Sequence, residues 1–201
     1  MLKIAGYKKK VNKIMFYLPN NPDNMPEALS DITVLDCSQI LAGPFCSMLL
    51  SDMGAKVIKI EKPSGGDDTR RFGPPFIKNE SAAFLAMNRN KRSIVIDFKH
   101  ENGVEIMKNL SKNSTIIIEN YRTGVMEKLG LGYEDLKKIN PKIIYCSISG
   151  FGRTGPYAER GGFDLVAQGM SGLMSITGIP NSPPIKVGVP IADMNLSLIH
   201  I

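Results

Sequence analysis

Asp193 closes the apolar stretch Val187-Gly188-Val189-Pro190-Ile191-Ala192. A carboxylate in that place is partly desolvated, which suits nucleophilic or acid–base work. An aspartate there also fits a plain helix N-cap. The rest of the catalytic inventory is thin. Only two histidines occur, His100 between Lys99 and Glu101 and His200 at the end of the sequence, and no Ser-His-Asp or Cys-His arrangement can be argued from them. The reactive group of any enzyme built on this chain is therefore a carboxylate. The three cysteines, Cys37, Cys46 and Cys146, are odd in number, scattered and without CxxC spacing. They read as free buried thiols in a reducing compartment, and no zinc or other metal site is expected.

Three further clusters carry a chemical reading beside a plain one. Gly150-Phe151-Gly152-Arg153-Thr154-Gly155 matches the GxGxxG dinucleotide pattern after a predicted strand. That pattern needs a helix to begin at its last glycine, and Pro156 to Gly162 do not read as one, so a flexible loop at a strand end is favoured. The double acid of Gly65-Gly66-Asp67-Asp68-Thr69-Arg70-Arg71 could attract a divalent cation, but its spacing fits no EF-hand, and a solvated loop at the carboxyl end of a strand is favoured. Asn88-Arg89-Asn90-Lys91-Arg92-Ser93 reads either as a charged turn or as a phosphate clamp.

The elements that must position these residues alternate. Apolar, β-branched runs at 32–35, 55–61, 93–97, 115–118 and 143–148 predict strands. Helices are predicted at 45–53 (opened by Gly43-Pro44 and closed by Gly54), 81–87, 101–110, 125–129, 133–139 and 163–174. Residues 62–76 are too rich in Gly and Pro for regular structure. Such alternation predicts an α/β fold, a Rossmann-like open parallel sheet with helices on both faces. Composition agrees: 201 residues, 43% hydrophobic and 22% charged, suffice for one domain with a real core and exclude a disordered chain. No run approaches the roughly 18 apolar residues of a membrane helix. The net charge of +6 is uneven. Residues 1–22 hold five lysines and no acid, and removing them leaves +1 for the remainder, which argues against nucleic-acid binding. Residues 1–31 read as a basic extension, with an organelle transit peptide as one reading, followed by a proline-rich linker.

Four stretches together resemble the class III CoA-transferase family, of the formyl-CoA transferase and carnitine CoA-transferase type. They are VLDCSQILAGPFCSMLLSDMGAKVIKIEKPSGGDDTR, NRNKRSIVIDFK, IIIENYRTGVMEKLGLGYEDL and IIYCSISGFGRTGPYAERGGFDLVAQGMSGLM, in the family's order over about residues 30–195. Leu41-Ala42-Gly43-Pro44, Asn90-Lys91-Arg92-Ser93 and Gly152-Arg153-Thr154-Gly155-Pro156 anchor the match. Gly66-Asp67-Asp68-Thr69-Arg70, Gly73-Pro74-Pro75-Phe76 and Leu131-Gly132-Tyr133-Glu134-Asp135 are most similar to the succinyl-CoA:glutarate CoA-transferase branch.

The resemblance implies the large domain of the interlocked-dimer CoA-transferase fold over residues 32–195, incomplete here, with 196–201 a non-native tail. It implies that Asp193 is the nucleophile, passing CoA from an acyl-CoA such as succinyl-CoA to a dicarboxylate such as glutarate through an aspartyl-CoA thioester. CoA is a substrate in this scheme, with no separate cofactor. The family's CoA contacts fall on Leu41, Ala42, Lys62, Ile96, Lys99, Asn120, Tyr121 and Lys128. Lys62 and Lys128 stand where formyl-CoA transferase has arginine, so the charge is kept and the bidentate fork is lost. Arg70, Arg71 and Arg92 are candidates for the second carboxyl group. The racemase relatives place a histidine directly before the residue matching Asp164. This chain has Phe163, so a transferase is favoured over an α-methylacyl-CoA racemase. The branch implies a mitochondrial location, the alternative being cytoplasmic, and a homodimer. Family members are longer than this chain, which leaves open a fragment that at most binds CoA.

Overall fold

The structure, a computed structural model, describes residues 27–199. The basic segment with its transit-peptide reading, and most of the linker, lie outside the described residues. In chain order the first elements are β1 (Thr33–Asp36), α1 (Ala42–Asp52), β2 (Lys56–Glu61), β3 (Phe76–Ile77), β4 (Glu80–Ser81), α2 (Ala82–Met87), β5 (Arg92–Val95) and α3 (Glu101–Ser111). Then come β6 (Ile116–Glu119), α4 (Val125–Lys128), α5 (Tyr133–Ile139), β7 (Ile144–Ser147), α6 (Asp164–Met170) and α7 (Ile191–Ile199).

Five strands form one sheet in the order β5-β2-β1-β6-β7, and every pairing in it is parallel. The central strands alternate between two cores, as the two-residue period of a strand requires. Val34 and Ile118 join Ala42, Cys46 and Leu50 of α1 on one face. Leu35 and Ile117 join Met107 of α3, Met126 of α4 and Leu136 of α5 on the other. Burial on both faces is why these strands read as apolar runs. The three cysteines are buried and free.

Helix ends follow local chemistry. Pro44 sits in the first turn of α1, and Gly54 just past its end has φ 101°. There the Ala55 N–H donates to the Leu50 carbonyl (3.0 Å), a glycine-dependent closure of the helix. The His100 Nδ1 accepts from the Asn102 N–H (3.2 Å) and caps α3.

Three expectations change. The glycine- and proline-rich stretch is not irregular throughout. The Asp67 carboxylate accepts from the Thr69 N–H and caps a 3-10 turn over Asp68–Arg71, and β3 and β4 then pair as a hairpin. The helix expected over 163–174 stops at Met170, because Gly172 adopts φ 79° and only a 3-10 turn, Leu173–Ser175, follows. Asp193 is not an N-cap but the third residue of α7. α7 runs to Ile199, into the segment read as a tail, with Leu196 packed on the α1 core and the buried Ser197 hydroxyl donating to the Ala42 carbonyl. Among the described residues no helix is long and apolar enough to cross a membrane.

Candidate functional site at the sheet switch point

The chain steps from β1 to β2 to β5 in one direction, then returns to the other side of β1 to lay down β6 and β7. The reversal lies between β1 and β6, the position where open α/β sheets bind ligands at their carboxyl ends. A cleft of about 940 Å³ opens there. Leu41 and Ala42, just after β1, line it together with Asn120 and Tyr121, just after β6, and Asp193 stands on α7. These five sequence-proposed site residues are thus brought together.

The other four are not among the residues lining the cleft. Lys62 pairs with Asp68 (2.8 Å), and Asp68 itself lines the cleft. The Ile96 side chain is buried in the core on the α3 face. Lys99 and Lys128 are exposed.

The loop between β1 and α1 is held from below by buried charge. Lys59 and Lys91, with side chains 2% exposed, face Asp36 and Asp67. Lys59 pairs with Asp67 (2.8 Å) and donates to the Ser38 carbonyl (3.0 Å). Lys91 pairs with Asp36 (3.0 Å) and donates to the Pro44 carbonyl (2.9 Å). Burial opposes ionisation of Asp36, but Lys91 and Lys59 outweigh it and hold this carboxyl well below the usual carboxylate range. Burial pulls Lys91 below the usual lysine range despite Asp36.

Asp67 also accepts from the Ile40 N–H (3.2 and 3.3 Å), and Ile40 sits at φ 71°. A β-branched residue in the left-handed region is strained and persists only where neighbours over-determine it. The Asn120 amide completes the loop. It accepts from the Gln39 N–H (2.8 Å) and donates to the Gln39 carbonyl (2.7 Å), tying the exits of β1 and β6 together across the switch point. With these bonds made, α1 begins at Leu41 without a side-chain cap, so its positive end meets the cleft.

Opposite this loop, Asn120 and Tyr121 are set by Glu119. The buried Glu119 carboxylate accepts from the Tyr121 N–H (2.8 Å), from the Ser147 hydroxyl and from the Arg153 guanidinium. Its burial raises its pKa above the usual range, and these donors counter that. Arg153 thus belongs to a structural clamp and not to a dinucleotide motif. No helix opens at Gly155, and the loop instead closes where the Gly150 and Gly162 backbones touch: a Cβ on Gly150 would lie 2.3 Å from Gly162 Cα. Within it Phe151 meets Tyr157 edge to face, and the Arg160 guanidinium lies over the Tyr157 ring.

The remaining clusters also resolve into pairs. Asp67 is buried rather than solvated, and Asp68 is shared between Lys62 and Arg71 (2.6 Å), so neither carboxylate of that loop is free for a cation. Among the described residues no group of three or more His, Cys, Asp or Glu could hold a metal ion. The cations of 88–93 diverge: Arg89 pairs with Asp52 (2.5 Å), Lys91 is buried, and Arg92 lies on the exposed strand β5, so they form no clamp. Arg70 is engaged by Glu61 through two bonds (2.7 and 2.8 Å). The cations that do line the cleft are Arg122 and Arg160, which sequence reasoning missed. The position of Arg122, directly after Tyr121 at a strand exit, was the available signal.

Asp193 reaches the cleft from the first turn of α7. Burial, and then the neighbouring Asp164, raise its pKa above the usual aspartate range. Phe163 also lines the cleft and offers no proton donor. The arrangement combines an anion-compatible helix terminus, two arginines and one desolvated carboxylate. It can hold a phosphate-bearing ligand and present a nucleophile to it.

The comparisons with known proteins agree with this geometry. Residues 29–200 match the model of CoA-transferase family III. The chain is 47% identical over 180 residues to a mouse protein named succinyl-CoA:glutarate CoA-transferase, covering 90% of this chain and 41% of the relative. A succinate–glutarate CoA-transferase of Agrobacterium fabrum is 50% identical over 177 residues, covering 85% of this chain and 44% of the relative. The crystal structure of a CAIB/BAIF family protein from Brucella suis superposes with a TM-score of 0.84 at 48% identity, over 88% of this chain and 47% of that one. The chain therefore spans less than half the length of these relatives, and with the family model matched over residues 29–200 it belongs to CoA-transferase family III.

Proposed function

We propose that this chain carries the CoA site and the nucleophile of an acyl-CoA:carboxylate CoA-transferase, with succinyl-CoA as donor and glutarate as acceptor. The observation that carries the reading is Asp193, a desolvated carboxylate on the wall of the switch-point cleft. The substrates come from the names of the mouse and Agrobacterium relatives. The enzyme acts as a homodimer, and the basic segment addresses it to mitochondria.

The chemistry proceeds by carbonyl exchange. An Asp193 carboxylate oxygen attacks the thioester carbonyl of succinyl-CoA, the C–S bond breaks, and CoA leaves as thiolate from a mixed anhydride. The thiolate attacks the aspartyl carbonyl and expels succinate, leaving an aspartyl-CoA thioester. Glutarate attacks this thioester and frees the thiolate again. The thiolate then takes the glutaryl carbonyl, releasing glutaryl-CoA and the Asp193 carboxylate. No proton need be moved by a side-chain base, in keeping with Phe163 on the cleft wall. Backbone N–H groups stabilise the successive oxyanions. Leu41 and Ala42 at the head of α1 offer one electropositive wall for CoA phosphates, while Asn120, Tyr121 and Arg122 shape the opposite side.

The test is succinyl-CoA/glutarate exchange, with mass analysis of the Asp193-bearing peptide after hydroxylamine trapping. An aspartyl hydroxamate at Asp193, and exchange reduced by at least about a thousand-fold in Asp193→Asn, are expected. Undiminished exchange in Asp193→Ala overturns the assignment. A CoA-dependent rise in Tm without exchange marks the chain as a CoA-binding portion only.

A further inference from the structure

We infer that Asp164, seated by Gln168, is a positioning residue that fixes the first turn of α7 and with it the carboxylate of Asp193. Its catalytic meaning rests on Asp193 being the nucleophile; the bracket itself does not.

Each orphan N–H group at a helix start needs an acceptor. Proline at position 190 precedes α7 and supplies no side-chain acceptor. The Ile191 N–H donates to the Val189 carbonyl (2.8 Å) and the Met194 N–H to the Pro190 carbonyl (3.1 Å). The two between them go to a different helix. Asp164 Oδ1 accepts from the Ala192 N–H (2.8 Å) and from the Asp193 N–H (3.4 Å). The N-cap of α7 is thus delivered by α6.

Asp164 is itself held. Its Oδ2 accepts from Gln168 Nε2 (2.6 Å), one helical turn further along α6. Gln168 is fully buried, and its Oε1 accepts from the Val187 N–H (2.9 Å) on the segment leading into α7. Two side chains of one short helix therefore grip the approach to α7 and its first turn, on either side of Pro190. A buried glutamine in this place is costly unless every contact is made, and its polar atoms are all engaged with this segment or with Asp164.

The bracket sets a second acid beside Asp193. Among the groups facing Asp193 from its neighbours, α6 brings Asp164. The other helix packed on α7, α1, carries the buried Cys46 thiol and, at its far end, Asp52, which is paired with Arg89. Across the cleft stand Asp68, Arg122, Glu159 and Arg160. The like charge of Asp164 adds to burial in holding the Asp193 carboxyl above its usual range. One side chain therefore places the nucleophile and raises its basicity.

The experiment is a carbon-13 NMR titration of aspartate carboxyls, with amide hydrogen exchange, on this chain and its Asp164→Asn, Asp164→Ala and Gln168→Leu variants. Asp164→Asn removes the charge and keeps an oxygen for the Ala192 N–H. The Asp193 midpoint is expected to move down, with Ala192 protection retained. In Asp164→Ala and Gln168→Leu, protection of the Ala192 and Asp193 amides is expected to fall at least ten-fold, with α3 unchanged. An unmoved Asp193 midpoint in Asp164→Asn, or unaltered amide protection in Asp164→Ala, overturns the inference. Exchange kinetics separate it from the reading it rests on. If Asp193 is the nucleophile, Asp164→Asn shifts the acid limb of the kcat profile down with little change in donor KM. If the NMR changes occur while Asp193→Asn leaves exchange intact, the bracket stands and the nucleophile assignment falls.

Discussion

At the residue scale, the side chains that hold the site are engaged far from where sequence neighbours would place them. Glu61 at the end of β2 takes the Arg70 guanidinium through two oxygens, the Ser93 hydroxyl (2.5 Å) and the Asp67 N–H (2.9 Å). Burial opposes its charge, but these donors outweigh burial and bring its pKa from the ordinary 4.5 down to about 2. The folded value lies below the unfolded one. The stabilisation is therefore complete above about pH 4.5 and is lost as pH falls towards 2. Glu61→Gln is expected to cost roughly 2 kcal/mol at neutral pH and to flatten the loss of Tm between pH 4.5 and 2, measured by thermal unfolding across that window. An equally steep acid loss in the variant would remove Glu61 as its source. This pairing was not legible in the sequence. Arg70 was a substrate candidate there, because only the 3-10 turn capped by Asp67 bends it back onto Glu61. Lys91 was hidden likewise among three cations, and its burial depends on where α1 meets β1. Asp193 was only half legible: the residues alone left it between a desolvated acid and a helix N-cap, and its proposed role came from the resemblance.

At the element scale, the apolar runs and punctuation were enough for the five parallel strands and for most helices, since two-sided burial leaves a strong pattern. They failed where a side chain, not a backbone period, makes the element. The turn over Asp68–Arg71 needs the Asp67 carboxylate, and the start of α7 needs an acid from α6. The junction of β1 with α1 offers a test of which local force prevails. Alanine is favoured over glycine inside a helix by about 1 kcal/mol, so Gly43→Ala would stabilise α1 on propensity alone. Yet a Cβ at Gly43 would lie 2.1 Å from Ser38 Cβ. Ser38 cannot easily yield: its N–H bonds Asp36 (3.0 Å) and its carbonyl bonds Lys59 (3.0 Å). The clash should win, giving a net loss of about 1–3 kcal/mol in denaturant unfolding and weaker CoA binding, because the displaced loop carries Leu41 and Ala42. A stabilised variant would show that the loop is softer than its bonds imply.

At the scale of the whole molecule, the apolar surface is unevenly spread. Phe163, Leu165, Val166 and Met170 are exposed around α6, and the segment after it exposes Ile176 to 82% and Ile179 to 76%. The edge strands add Ile94 and Val95 on β5 and Ile144 on β7. Single exposed apolar residues are ordinary, but a run of this kind along one helix and its following loop marks an association surface. Parallel edge strands are prone to pairing when they lack covering charges. Electrostatic repulsion does little to oppose contact, since residues 23–201 carry a net charge of only +1. The chain is therefore expected to associate with rising concentration in sedimentation velocity, and to bind an apolar dye such as ANS while its far-UV spectrum stays native. Ile176→Lys combined with Ile179→Lys should lower both signals without moving Tm by more than a few degrees, because neither side chain belongs to a core cluster. Association undiminished in that double variant, but abolished by Val95→Lys, would move the surface from α6 to the sheet edge. The cleft adjoins the α6 surface, since Phe163, Asp164 and Ala167 at the start of α6 line it together with the exits of β1 and β6 and the first turns of α7.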